Sequence, residues 1–430
     1  MKEKYLVNAR ILDPKNQIDE IGGLIIDSKG IIKAIGKKVS NGNLPSSAEK
    51  IDIKKQVLIP GIVDMRVFVG EPGYEYKENF RTLSGAALSG GVTSVVSMPN
   101  TSPVIDNVSM VDFLKRRGRD KSKINIFPAA SLTKNTDGEQ MTEFGLLKRK
   151  GIVAFTDGNK TVQNPQIMSR IMNFAAQSGS LIMQHAEDNI LSKDGLINEG
   201  EISTRLGLKG IPYLAEKIIV ERDLSLLEEY FCRYHISQIS SGKTISVIKK
   251  AKNEGIKFTT GVSINNLSLN ENDIGDFRTF LKLSPPLRTE NDRKILVQAL
   301  NDGLIDVIVS DHKPEDEESK RLTFAQAATG ATGVETLLSL ALELYHNKSI
   351  KLDRLIASIT SNPSKILGID KGSLEKGRDA DICIFDLNKP WVVNKDNLKS
   401  KSKNTAIEYR KLQGQVSKTF VKGELAYQKI

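Results

Sequence analysis

Cysteine is nearly absent from this chain. The two that occur, Cys232 and Cys383, are far apart and form no CxxC pair, which argues against a disulfide framework and a thiolate zinc site. Both read as buried small hydrophobes. No apolar run approaches the roughly 20 residues needed to cross a bilayer. Met1-Lys2-Glu3-Lys4-Tyr5 leads into a strand pattern rather than a signal peptide, so a cytoplasmic protein without membrane contact is expected. Histidine is scarce too, with only His185, His235, His312 and His346, which leaves little room for chemistry that consumes many imidazoles.

Positive charge is plentiful. The formal net charge is +10, but lysines are spread along the whole length. They are denser only at Lys399, Lys401 and Lys403, where no aromatic residue is interleaved to stack on a base, so no nucleic-acid partner is expected. The charge suits an acidic protein partner or anionic metabolites. At 430 residues, 39% of them hydrophobic, the chain suits a large barrel carrying a smaller accessory domain.

Short strands split by turn residues occupy the first fifty or so positions: Tyr5-Leu6-Val7-Asn8, Gly22 to Asp27, and Ile31 to Gly36. The same grammar returns at Ala380 to Asp386 and Ser417 to Gly423, so both ends are expected in one small β-sandwich, residues 1–59 with 366–430. Between them, strand-like runs alternate with helix-like segments: Gly91 to Met98, Gly151 to Phe155, Leu181 to Gln184, Ile256 to Thr259 and Ile305 to Val309. That alternation predicts a (β/α)8 TIM-type barrel over residues 60–365, whose active residues sit where strands end. The basic stretch near Lys399 is the one linker-like segment.

Val63-Asp64-Met65-Arg66-Val67-Phe68-Val69-Gly70-Glu71-Pro72-Gly73, directly after Leu58-Ile59-Pro60-Gly61-Ile62, resembles the first-strand signature of dihydroorotases, Asp-x-His-x-His-x-Arg-Glu-Pro-Gly. Arg66 and Phe68 stand where that signature has histidines, and Gly70 where it has arginine. Five further segments follow in family order: Met98-Pro99-Asn100-Thr101, Ala154 to Gly158, Gln184 to Asp188 with Asn198-Glu199-Gly200, Tyr234 to Ser237, and Ser310-Asp311-His312-Lys313-Pro314. The likeness spans nearly the whole chain.

The resemblance implies a metal-dependent cyclic amidohydrolase of pyrimidine biosynthesis. It carries Asp157, His185 and His235 over as metal ligands, Asp311 as the general acid/base and Asn100 as a contact for the substrate carboxylate. One carboxylate and two imidazoles match the three protein ligands of a catalytic zinc, with a position left open for water. With Arg66 and Phe68 in place of two ligands, at most one zinc per chain is expected, or none. Arg66 is a permanent cation and Phe68 has no lone pair. The guanidinium is expected to pair with Asp157 or Asp311. Gly70 lacks the forked donor, Ser284 replaces an asparagine, Asn265 and Asn266 replace paired histidines, and Glu315 is expected to repel an acidic substrate. His312 reads as a structural partner in its loop and His346 as a surface residue.

Three readings remain open. The chain is expected to form a homo-oligomer, and the first reading is a weakly active or non-catalytic relative that assembles with aspartate transcarbamoylase. The second is an active dihydroorotase that uses one zinc with Asp311 as base. The third is a binding module for another cyclic amide or for nucleic acid.

Overall fold

The computed structural model describes residues 2–39 and 48–429. Eight parallel strands run through the centre of the chain: Ile62–Val67, Val92–Ser97, Asn125–Ala130, Ala154–Phe155, Leu181–Gln184, Arg233–Ile239, Thr259–Ser263 and Val307–Val309. From the first to the eighth, neighbours in sequence are neighbours in the sheet. The ring is closed by a bridge rather than a long ladder. Val67 pairs with His312, and the Phe68 amide donates to the His312 carbonyl at 2.9 Å.

Helices cover this barrel, and Pro165–Ser178 shows how the sequence sets one. Asn164 caps it by accepting from the Gln166 and Ile167 amides, and Pro165 opens it at a position where its missing N–H costs nothing. Met168, Ile171, Met172 and Ala175 recur at helical spacing and are buried. Gly179 ends it with φ +62, a backbone conformation that favours glycine.

Strands from the two ends of the chain meet in one eight-stranded sheet. Its seam is Val57–Pro60, parallel to Lys4–Asp13 on one side and antiparallel to Ile382–Val392 on the other. Leu6, Ile11, Leu24, Leu58, Ile384 and Phe420 share one apolar cluster across that seam. Gly61 then carries the chain straight from the sheet into the first barrel strand.

The stretch near Lys399 is not a linker. Ser400, Ser402 and Asn404 are buried, and the Lys399 and Ser400 amides donate to the Glu335 carboxylate at 2.8 and 2.9 Å. The Ser400 hydroxyl bonds to Glu78. His346 ends its helix half-buried, its Nε2 lying 3.0 Å from the Leu387 carbonyl oxygen.

Candidate active site

Parallel strands in a closed ring bring their C-terminal ends to one mouth. Arg66 stands near the end of the first strand, Asp157 just after the fourth, His185 just after the fifth, His235 within the sixth, and Asp311 just after the eighth. Asp311 has φ +52, an uncommon conformation for a residue with a side chain.

Arg66 is 2% exposed and lies at the middle of this mouth. Its Nε donates to Asp311 Oδ1 at 3.3 Å. Nη1 and Nη2 both donate to the Gly158 carbonyl at 3.2 Å, and Nη2 also donates to Asn159 Oδ1 at 2.6 Å. The expected ion pair is therefore made with Asp311 and not with Asp157. Burial pushes the Asp311 carboxyl above its usual range, with the Arg66 charge opposing. Burial likewise lowers the guanidinium, with Asp311 opposing.

Asp157 faces elsewhere. Its carboxylate accepts from the Thr133 amide at 3.0 Å and the Thr133 hydroxyl at 2.6 Å, and burial pushes its pKa up to about 6. His185 is buried; its Nδ1 makes no hydrogen bond, and its Nε2 lies 3.6 Å from Glu187 Oε2. His235 Nδ1 lies 2.8 Å from Thr259 Oγ1, while its Nε2 is unpartnered. Burial, then the charges of Arg66 and Lys252, push His235 down to about 3, so its ring is neutral.

These residues do not fit the metal that the family resemblance implies. His235 offers a free Nε2 and His185 a free Nδ1, whereas each oxygen of the third expected ligand, Asp157, is oriented by a hydrogen bond from Thr133. Among the described residues no three of His, Cys, Asp or Glu are gathered as a ligand set, so Asp157, His185 and His235 do not form the three-ligand zinc site expected from the sequence. A guanidinium close enough to depress His235 also opposes a second cation there. The cysteines add no ligand: both are buried, and burial pushes the Cys232 thiol up to about 12.

The substrate-side positions are equally specific. Asn100 packs against Gly158, and its Oδ1 is buried without a partner. Gly70 has φ +81, and a Cβ there would stand 2.6 Å from the Glu78 carbonyl oxygen, so this loop has no room for the family's arginine. Phe68 fills the neighbouring space, its ring 6.0 Å from that of Tyr74. Ser284 is half-buried before a cis proline, and Asn266 donates to the Pro286 carbonyl at 3.0 Å. Glu315 does not present the free negative charge expected of it. Lys77 Nζ reaches its carboxylate at 2.6 Å and neutralises it.

Three participants escape a reading of the sequence. Thr133 holds Asp157, and the Gly158 carbonyl with Asn159 holds the guanidinium. Only their places after strand ends could have marked them. His312 behaves as expected: Nδ1 accepts from the Gly333 amide at 3.2 Å, and Nε2 lies 3.7 Å from Glu78.

A family model described as Dihydro-orotase-like matches residues 55–244. The chain is 40% identical over 423 residues to a protein named Dihydroorotase from Ehrlichia canis (strain Jake), covering 98% of this chain and 94% of that one. It is likewise 40% identical over 423 residues to one of the same name from Syntrophus aciditrophicus (strain SB), covering 98% and 99%. Among solved structures, L-hydantoinase from Arthrobacter aurescens superposes with a TM-score of 0.88 at 23% identity, covering 99% of this chain and 96% of that one. Dihydropyrimidinase from Brevibacillus agri gives 0.86 at 22%, covering 98% and 94%. At such identities these two establish the fold alone.

Proposed function

The chain belongs to the dihydroorotase-like family of cyclic amidohydrolases, and from that premise we propose that it serves pyrimidine biosynthesis as a non-catalytic subunit. Its partner in this reading is aspartate transcarbamoylase. The observation that carries the loss of activity is the placement of Arg66, whose guanidinium binds the candidate base Asp311 and stands where the family's signature supplies metal ligands. Opening a cyclic amide needs a water made nucleophilic and a carboxylate free to take its proton. Here the base is held by a fixed cation, and among the described residues no complete donor set stands beside it. The absence of a forked donor at Gly70 removes a charge-assisted contact worth about 1.5 to 3 kcal/mol.

The test is dihydroorotate ring opening by the purified chain with zinc added, followed by absorbance, with metal content measured on the same sample. The expected outcome is a rate no higher than that of Asp311→Asn. Co-purification with aspartate transcarbamoylase then tests the partner directly. A second reading, an active dihydroorotase with Asp311 as base, is favoured by the name its 40%-identical relatives carry. Robust turnover that disappears in Asp311→Asn would establish that reading and overturn the first.

A further inference from the structure

A cavity of about 600 Å³ opens at the foot of the barrel, the end opposite the mouth. It is framed where strands begin: Leu181 opens the fifth, Arg233 the sixth and Thr259 the seventh. Its size falls within the range of small-molecule sites. Four cations face it, Arg233, Lys257, Arg354 and Lys365, against the single carboxylate of Asp306. That carboxylate is already engaged by the Thr260 amide at 2.9 Å and by Lys252 Nζ at 3.3 Å.

The four cations divide into two kinds. Arg233 and Arg354 are anchored: Arg233 Nη2 donates to the Ile366 carbonyl at 2.5 Å, and Arg354 donates to the Leu300 and Ile305 carbonyls at 2.9 and 2.6 Å. Carbonyls fix these forks without neutralising them, and each keeps further N–H groups to offer. Lys257 and Lys365 make no hydrogen bond or ion pair with the described residues, and both are exposed. Leu181, Phe258 and Ile366 supply an apolar floor. Like charges converge here around an apolar surface, with the one acid of the lining engaged through its Oδ2. Cations gathered in this way repel one another, a repulsion that a bound anion relieves.

We propose that this cavity is a binding site for a nucleoside phosphate, the cations taking the phosphates and the apolar floor taking the planar base. The proposal is independent of whether the mouth is catalytic. Isothermal titration of the full chain with ATP, and separately with inorganic tripolyphosphate, tests it at about 0.15 M salt, where loosely attracted counterions are screened. ATP is expected to bind once per chain with a Kd below about 1 mM. Lys257→Glu combined with Lys365→Glu, which touches no hydrogen bond of the fold, is expected to weaken it at least about tenfold, as is replacing ATP by tripolyphosphate. Lack of saturable ATP binding, or a Kd unmoved by the double charge reversal, would overturn the site. Tripolyphosphate binding as tightly as ATP would overturn the assignment to a nucleoside.

Discussion

Arg66 and Lys320 are two buried cations whose surroundings make opposite demands. Arg66 pairs with Asp311, so Arg66→Ala leaves a carboxylate in the barrel mouth without its counter-charge, a loss of about 3 to 5 kcal/mol. A urea denaturation midpoint barely moved by that substitution would show the pair to be dispensable. Lys320, 2% exposed, makes no ion pair with the described residues, the charge of Glu315 only opposing the effect of burial; its Nζ donates to the Thr279 and Ala328 carbonyls at 2.9 and 2.6 Å. Burial lowers its pKa from 10.5 to about 7. Between those values the unfolded chain binds more protons than the folded one, so this group makes the fold more stable as pH rises through the window. The neutral amine keeps a donor for each carbonyl. Parent and Lys320→Met, compared at about pH 7 and about pH 9.5, should diverge in the parent's favour at the higher pH. An unchanging difference would mean that the ammonium stays charged. Sequence alone makes Arg66 legible as a cation in need of a carboxylate. The choice of Asp311 depends on Thr133 having claimed Asp157, and the neutralising of Glu315 depends on a lysine 238 positions away. Neither pairing leaves a local trace.

Among the elements, the fifth strand, Leu181–Gln184, coincides with its apolar run. The third, Asn125–Ala130, contains Pro128, which reads as a break in a strand, and so it escapes notice. The seventh is displaced for a packing reason. Its apolar lead-in Ile256-Lys257-Phe258 lies at the barrel foot, and the strand proper is Thr259–Ser263, a run of small and polar residues. Gly261 explains that composition. A Cβ there would sit 2.4 Å from the Ser237 carbonyl oxygen and 3.0 Å from His235 Nε2. Gly261→Ala must therefore push the sixth and seventh strands apart, at about 1 to 3 kcal/mol. The check is a thermal melt, in which an unshifted midpoint would mean that the strands separate freely.

At the scale of the molecule, matching strand grammar at both ends makes a shared sheet legible, whereas its seam at Val57–Pro60 emerges only from the pairing. A chain stopped before Ile382 loses three of the eight strands and leaves that seam an open edge, so it should be recovered aggregated rather than as a soluble barrel. Recovery of a monodisperse truncated protein would contradict this. The same seam sets a timetable. About 320 residues separate Pro60 from its partner Ile382, and at roughly 5 to 20 residues per second a ribosome takes about a quarter of a minute to a minute to deliver them. Throughout that interval the nascent chain carries an apolar strand whose other half has not yet been made, so the yield of this protein in a cell should depend on whatever shields unfinished chains during translation.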